Sequence, residues 1–95
     1  MSKRERLRQK LRNQSADADM RDVQTLLERF GFSLVRTRGS HHIFEFDDGK
    51  LSKQIVFPLH GHKIKRIYIK EVIALLDEMF PPDESIDEAE NDEDA

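Results

Sequence analysis

The fold is decided by residues 26–44, which read LLERFGFSLVRTRGSHHIF. The first part carries apolar residues at helical spacing, and the part after Gly31 alternates in the manner of a strand. A second glycine, Gly39, interrupts the alternation, which then resumes. A helix end, a strand, a tight turn and a second strand therefore follow one another within this stretch.

The helix in this stretch extends upstream and is predicted over residues 20–30. Its buried stripe follows the i, i+3, i+4, i+7 pattern and comprises Val23, Leu26, Leu27 and Phe30. Asp19 is a suitable residue to cap its start. Gly31 can adopt the left-handed conformation that ends a helix.

Three strands are predicted downstream of the helix, near residues 32–38, 41–47 and 54–58. Gly39 and Ser40 form the first turn, because glycine in the first central position of a two-residue loop is the signature of a type II′ hairpin. Asp48 and Gly49 mark the second turn. The tightest loop there would direct Lys53 among the inward residues, so we expect a longer or bulged loop.

A second amphipathic helix is predicted over residues 67–80, and two prolines end it. Its apolar residues repeat the helical spacing and comprise Ile69, Val72, Ile73, Leu76 and Phe80. Three strands with so few residues cannot bury two apolar faces, so both helices should cover the same face of the sheet. The predicted class is α+β, in the order α-β-β-β-α, with an antiparallel sheet.

Two charged segments flank the predicted domain, residues 20–81. Residues 1–19 form a basic arm, in which Ser2 and Glu5 fit a capping box and predict a short helix that two leucines anchor weakly. Residues 82–95 form an acidic tail that we expect to be disordered. The eight carboxylates of this tail leave 16 basic side chains against 11 of the 19 acidic ones, so the net charge of −3 conceals a body of +5. A basic body suggests a polyanionic partner.

The composition excludes several classes of protein. The chain has no cysteine, which excludes disulfides and thiolate-built zinc or iron–sulfur sites. No apolar run approaches the roughly 18 residues of a membrane-spanning helix, and the first residues lack the apolar stretch of a secretory signal. A chain of 95 residues forms one domain at most. We therefore expect a cytoplasmic protein with no membrane partner.

The register of the first hairpin decides which face His41 occupies. With a two-residue loop, one face pairs Arg38 with His41, Arg36 with Ile43 and Leu34 with Glu45. The other face pairs Thr37 with His42, Val35 with Phe44 and Ser33 with Phe46. Because the second set carries two aromatic residues and a valine, it is predicted to face the helices, and the first set is predicted to be open to solvent.

An exposed imidazole beside two guanidinium groups suits phosphodiester chemistry. His41 can take the proton from a ribose 2′-hydroxyl or return one to the leaving oxygen. Arg36 and Arg38 can neutralise the phosphate as charge builds in the transition state. The alternative is a hairpin histidine beside two solvated strand arginines, and the spacing alone favours that alternative.

Further bases and histidines lie after the third strand, before and into the second helix. Four bases cluster there and either contact RNA phosphates or form an ordinary solvated face: Lys63, Lys65, Arg66 and Lys70. His60 and His62 lack a carboxylate or cysteine at a recognisable ligand spacing, so no metal or other cofactor is expected. His60, at the end of the third strand, is a candidate accessory residue of the open face.

Residues 26–44, followed by Ile55-Val-Phe-Pro-Leu-His60 and a final amphipathic helix, resemble the HicA toxins of bacterial and archaeal toxin–antitoxin pairs. The most specific piece is GSHHIF, residues 39–44, on a hairpin behind a helix that ends in Gly-Phe. The resemblance implies a fold like the double-stranded RNA-binding domain, metal-independent endonucleolytic cleavage of mRNA, and a HicB-like antitoxin that covers the active face. It also implies that His41, the first residue after the turn, is catalytic.

The resemblance runs from about residue 20 to residue 80, and two features depart from it. The chain has the basic and acidic extensions, and its second helix opens with Ile64-Lys-Arg-Ile-Tyr-Ile-Lys where the family usually has a Lys-Pro-Gly-Thr-like segment. Two functions stay open, a ribonuclease toxin and a non-catalytic RNA-binding module on the same fold. Cleavage of a single-stranded RNA in the presence of EDTA distinguishes them.

Overall fold

The order of elements agrees with the sequence prediction. The structure, a computed structural model, describes residues 2–82. The predicted disorder of the acidic tail concerns residues from 83 onward, which lie outside this range. The elements of the structure are α1 (Lys3–Asn13), β1 (Ala18–Asp19), α2 (Met20–Arg29), β2 (Ser33–Arg38), β3 (His41–Asp47), β4 (Ser52–Pro58), β5 (Lys63–Ile64) and α3 (Arg66–Met79). The α+β class and the three-stranded antiparallel sheet are confirmed. The two-residue strands β1 and β5 were not predicted, and they pair with each other in a separate ladder.

Both turns of the three-stranded sheet have the expected geometry. The sheet order is β2-β3-β4, with antiparallel neighbours. Gly39 has a φ of +59°, whereas Ser40 has a negative φ, because none of the described non-glycine residues has a positive one. A type II′ turn requires this combination. The second loop spans four residues, 48–51, and the Asp48 carboxylate accepts hydrogen bonds from the N–H groups of Lys50 and Leu51. The second loop is longer than two residues, as predicted, but the reason given for it is wrong, because Lys53 pairs with Phe46 and still lies on the inner face.

The predicted register holds next to the first turn and is wrong further along β2. Arg38, Thr37 and Arg36 pair with the expected residues of β3, but Leu34 pairs with Phe44 and Ser33 with Glu45. A β-bulge at Val35 causes this shift, because two residues of the bulged strand oppose one residue of its partner. Val35 was predicted to face the helices, and it is 50% exposed.

Burial of Phe32 explains the bulge. Without the extra residue, strand alternation would direct Phe32 to the open side of the sheet. With it, Phe32 is only 2% exposed, and its ring lies 5.6 Å from the ring of Phe46. Burying a phenylalanine side chain contributes about 1.5–3 kcal/mol, which exceeds the loss from half-exposing Val35.

One hydrophobic core joins the inner face of the sheet to all three helices. The sheet contributes Phe44, Ile55 and Phe57, and the ring of Phe46 contacts that of Phe80 after α3, with centroids 5.6 Å apart. The helices contribute Leu11, Val23, Leu26, Leu27, Ile69, Val72, Ile73 and Leu76. The helices therefore cover one face of the sheet, as predicted, and the aromatic residues of β3 point into the core.

Gly31 links the end of α2 to this core. It has a φ of +97°, which side chains other than glycine rarely allow. A Cβ atom there would also lie 2.9 Å from the ring of Phe46. The glycine thus satisfies both the helix end and the close approach of the aromatic core.

The N-terminal helix is part of the same core. Ser2 caps it as predicted, accepting a hydrogen bond from the Glu5 N–H at 3.2 Å, while the Glu5 carboxylate binds Arg8. Leu11 is 1% exposed, so the expectation that the leucines of this arm anchor it only weakly is wrong. The reason is that α1 packs on α2 and α3 together and covers apolar surface of both.

A buried arginine holds α1 against the end of α3. The Arg8 guanidinium is 1% exposed and makes two hydrogen bonds of 2.6–2.8 Å to Glu5 through one nitrogen. Its other terminal nitrogen donates to the carbonyl oxygens of Phe80 at 2.8 Å and Leu76 at 3.4 Å, and to Asp77 at 3.3 Å. The guanidinium carbon also lies 4.8 Å from the ring centroid of Phe30. Arg8 therefore binds the carbonyl oxygen of Phe80, the residue that follows α3, and adds a second hydrogen bond to that of Leu76, which also accepts from the N–H of Phe80 at 2.7 Å.

A second ion pair adjoins the first. Arg12 donates to both carboxylate oxygens of Asp77, at 2.6 and 2.8 Å. These hydrogen bonds hold the pKa of Asp77 below its ordinary value of 3.8, although partial burial opposes the shift. Because the pKa of Asp77 is lowered on folding, the pair stabilises the fold above the ordinary pKa. That stability is lost as the pH falls through the lowered value.

We predict that Arg8→Ala lowers the free energy of unfolding by about 3 kcal/mol, because it leaves Glu5 and the end of α3 without their buried partner. Urea denaturation at pH 7 measures this. Gln9→Ala is the control, since Gln9 is exposed on the same helix and should change stability by less than about 0.5 kcal/mol. A loss at Arg8 no larger than that at Gln9 would show that α1 is peripheral.

Candidate functional site

One face of the sheet is not covered by the helices among the described residues. We define the open face by the outward residues of the three strands: Ser33, Arg36, Arg38, His41, Ile43, Glu45, Gln54, Val56 and Pro58. Cross-strand pairing arranges them in rows, with His41 between Arg38 and Pro58, and Ile43 between Arg36 and Val56. The predicted set of Arg36, Arg38, His41, Ile43 and Glu45 lies together on this face.

His41 opens β3 at the edge of the open face. Its side chain is exposed, and the imidazole forms no hydrogen bond or ion pair with any residue between 2 and 82. Both ring nitrogens are therefore accessible to a ligand. The backbone around it is fixed, because β3 is the central strand and His41 pairs with a residue on each side.

The turn before His41 is fixed from two sides. The carbonyl oxygen of Ser40 accepts a hydrogen bond from the N–H of Leu59 at 2.8 Å, which ties the turn to the chain that leaves β4. The Nδ1 atom of His42 lies 3.2 Å from the same oxygen. His42 is half-buried on the opposite side of the strand, between Thr37 and Phe57. The two adjacent histidines thus differ in environment as the alternation predicts.

The two arginines of β2 supply the positive charge of the open face. Arg36 and Arg38 are both exposed, and neither forms an ion pair with any residue that the structure describes. They lie two positions apart on one strand, which separates their Cα atoms by roughly 6.6 Å on the same side. Two adjacent guanidinium groups without protein partners can bind a phosphate through several hydrogen bonds.

The centre of the open face is apolar. Val56 is 41% exposed and pairs with Ile43, which is half-buried. Sequence reasoning had not assigned Val56 and Pro58 to this face. The signal was present, because both alternate along β4 with the buried Ile55 and Phe57.

The structure divides the basic cluster at the start of α3. Lys63 lies 3.4 Å from the Asp19 carboxylate, and Arg66 donates from Nε to the carbonyl oxygen of Gln14 at 3.2 Å. Lys65 and Lys70 are exposed and form no ion pair within residues 2–82. Two of the four bases are therefore engaged within the protein, and two are available to a ligand.

His60 lies on the path between the turn and the basic cluster. It follows Leu59, which binds Ser40, and its backbone exchanges hydrogen bonds of 2.9 and 3.1 Å with Lys63. Its side chain is exposed.

No group of three or more histidine, aspartate or glutamate side chains among the described residues has the arrangement of a metal site. None of the described helices is long and apolar enough to cross a membrane.

The fold and the open face define a small α+β protein in which a helix, three antiparallel strands and a helix follow one another, with a histidine and two arginines on the exposed side of its sheet. Residues 20–77 match the family model of the HicA toxin of bacterial toxin–antitoxin systems. The match covers more than half of the chain, from the first residue of α2 almost to the end of α3, and the chain belongs to this family. It is thus a toxin of the toxin–antitoxin type, a class that generally acts as RNases on RNA and has an antitoxin partner. No curated protein and no solved structure shows significant similarity to the chain.

Proposed function

We propose that this protein is an endoribonuclease that cleaves mRNA without a metal ion, with His41 as the general acid or base. The observation that carries the proposal is the position of His41 on the open face, exposed and beside two arginines that form no ion pair within residues 2–82. Membership in a family of toxins that are generally RNases supports RNA cleavage as the reaction of this arrangement. Since mRNA is translated in the cytoplasm, we propose that the protein acts there.

The reaction uses the substrate's own nucleophile. His41 removes the proton of a ribose 2′-hydroxyl, the 2′-oxygen attacks the adjacent phosphorus, and the bond to the 5′-oxygen breaks. A proton then returns to the leaving 5′-oxygen, from His41 or from a second donor, for which His60 is the candidate. An imidazole suits both transfers because its ordinary pKa lies near neutrality.

The arginines stabilise the negative charge that develops on the phosphate oxygens during the attack. Arg36 and Arg38 contact the non-bridging oxygens, where a planar guanidinium forms paired hydrogen bonds. Lys65 and Lys70 contact phosphates further along the RNA strand. Lys63 and Arg66 add positive charge to the same surface but extend less far from the protein. Binding through several phosphates should weaken steeply as salt concentration rises.

A second candidate function is a non-catalytic RNA-binding module on the same fold. It is favoured by the absence of any described residue that hydrogen-bonds and orients the His41 imidazole. In many catalytic histidines a neighbouring group fixes the tautomer and the orientation of the ring. RNA itself or the accessory His60 would have to supply this orientation in the nuclease.

We predict that His41→Ala abolishes cleavage of a single-stranded RNA in EDTA while thermal stability changes by less than about 0.5 kcal/mol, because the side chain is exposed. His42→Ala should instead cost about 1–3 kcal/mol and retain cleavage per folded molecule, because His42 packs between Thr37 and Phe57. Gel assays and thermal denaturation of both variants check this. The reverse pattern would reject the assignment of His41, and cleavage by neither the wild type nor His42→Ala would favour the RNA-binding module.

We further propose that the antitoxin is HicB-like and binds the open face, covering His41. A nuclease in its own cytosol has to be silenced, and two exposed arginines without an ion pair in the described part of the chain favour an acidic contact surface on the partner. Arg36→Glu and Arg38→Glu should each weaken antitoxin binding by about tenfold or more in titration calorimetry. Arg29→Glu is the control, since this exposed arginine lies on α2. Equal loss of affinity at Arg29 would indicate that the antitoxin binds the helical side.

The acidic tail provides a further prediction, although residues 83–95 lie outside the described residues. Since its eight carboxylates are tethered to a basic body, we propose that the tail competes with RNA for that body at high local concentration. Deleting residues 83–95 should therefore tighten RNA binding at low salt and have a smaller effect at high salt, where charge is screened. Fluorescence anisotropy at two salt concentrations measures this, and unchanged affinity at low salt would reduce the tail to a solubility element.

A further inference from the structure

Helix α3 carries charges that oppose its own dipole. Its N-cap residue, Lys65, makes no side-chain capping hydrogen bond, and its first turn has no acidic residue. Its last turn has no basic residue and contains Asp77 and Glu78. A helix favours acidic groups at its start and basic groups at its end, so α3 lacks both from its own sequence.

The segment before α2 supplies both missing partners. At the end of α3, Arg8 donates to the carbonyl groups of Leu76 and Phe80. At the start, the Asp17 carboxylate accepts a hydrogen bond from the backbone N–H of Arg66 at 3.1 Å, across 49 positions of sequence. Asp17 thus performs the role of an N-cap side chain from a different part of the chain.

Asp17 is held in this position by its neighbours. The side-chain amide of Gln14 donates to the carbonyl oxygen of Asp17 at 2.8 Å. The carbonyl oxygen of Gln14 in turn accepts the hydrogen bond from Nε of Arg66. Immediately after Asp17, Ala18 and Asp19 pair with β5. The capping carboxylate is therefore fixed on both sides along the chain.

The same segment is connected to the turn before His41 by backbone hydrogen bonds. Ser40 accepts from Leu59, the next residue His60 pairs with Lys63, and Lys63 pairs with Asp19. The His41 turn, the basic start of α3 and the Asp17 segment therefore form one connected end of the molecule.

We propose that Asp17 is a positioning residue of the RNA-binding surface. By capping α3 it holds the first turn of the helix in one conformation, and with it the exposed Lys65 and Lys70 at a defined position relative to His41. The proposal rests on the proposed function in one respect, namely that these lysines contact RNA. It assigns a role in RNA binding to a residue that precedes the part of the chain matched by the family model.

The charge of Asp17 and its hydrogen bond have opposite effects on RNA binding, which allows them to be separated. A carboxylate beside lysines repels phosphate, so removing the charge alone should strengthen binding. Losing the cap should weaken binding, because only the fraction of molecules with an ordered first turn presents the lysines correctly. Asparagine removes the charge and keeps the capping oxygen, whereas alanine removes both.

The experiment compares Asp17→Asn with Asp17→Ala in the full-length chain carrying His41→Ala, which prevents cleavage. Affinity for a labelled single-stranded RNA is measured by fluorescence anisotropy at low salt, at a temperature where circular dichroism shows both variants to be folded. Asp17→Ala should bind about two- to fivefold more weakly than Asp17→Asn, the order expected for loss of one cap. Where Asp17→Ala is partly unfolded, its measured dissociation constant is multiplied by the folded fraction from circular dichroism before it is compared with that of Asp17→Asn.

Asp19 offers a matched control. It is an exposed aspartate two residues away, it pairs with Lys63, and it makes no side-chain capping hydrogen bond to α2. Asp19→Asn and Asp19→Ala should therefore bind RNA equally. Equal affinities of Asp17→Asn and Asp17→Ala would overturn the inference, as would the same two- to fivefold difference at Asp19. Absence of RNA binding by the Asp17-containing parent would instead overturn the proposed function, and the inference with it.

Discussion

The buried guanidinium of Arg8 is the contact on which the arrangement of the helices depends. It joins the first helix to the last through one carboxylate of α1, one carboxylate of α3 and two carbonyl groups at the end of α3. An arginine can fill this position because its planar group presents five donors in fixed directions, whereas a lysine presents a single point of charge. The stacking of Arg8 on Phe30 then brings α2 into the same contact.

The Gly39-Ser40 turn and the burial of Phe32 require different registers in β2. The Gly39-Ser40 turn fixes the pairs nearest to it, and those pairs direct His41 to solvent. Continued without interruption, the same register would expose Phe32. The bulge at Val35 lets both requirements hold, because it reverses the alternation only beyond Arg36, so Arg36 and Arg38 stay on the open face while Phe32 turns inward.

Much of the fold could be predicted from local patterns, and much of the rest depends on contacts between distant residues. Periodicity identified α2, α3 and the three long strands to within about two residues, and the turn chemistry of Gly39 gave the face of His41. The bulge could not be predicted, since it depends on how Phe32 packs against Phe46. The burial of Arg8 also escaped prediction, because in the sequence it is one base among several in a charged segment. The strands β1 and β5 have two residues each and carry no periodicity to detect.

The same balance applies to the candidate site. Alternation in the hairpin identified Arg36, Arg38 and His41 as neighbours on an exposed surface, which the pairing of β2 with β3 bears out. The basic cluster was recognised as a group, but its division into engaged and available members depends on Asp19 and Gln14, which precede α2. Sequence spacing identifies which charges are close, and only the tertiary structure determines which of them are already neutralised.

The bulge in β2 has a further consequence for the behaviour of the protein in solution. The three-stranded sheet, one face of which no described helix covers, has two edges at which a foreign strand could add, and such edges promote aggregation. On the edge formed by β2, the bulge at Val35 breaks the regular spacing of backbone groups, and two arginines, Arg36 and Arg38, follow it. On the other edge, formed by β4, the Lys53 side chain points inward and lies 3.9 Å from the Glu78 carboxylate. A strand added at this edge would have to pack beside that charge. The open face can therefore remain accessible while the sheet is protected from polymerising through its edges.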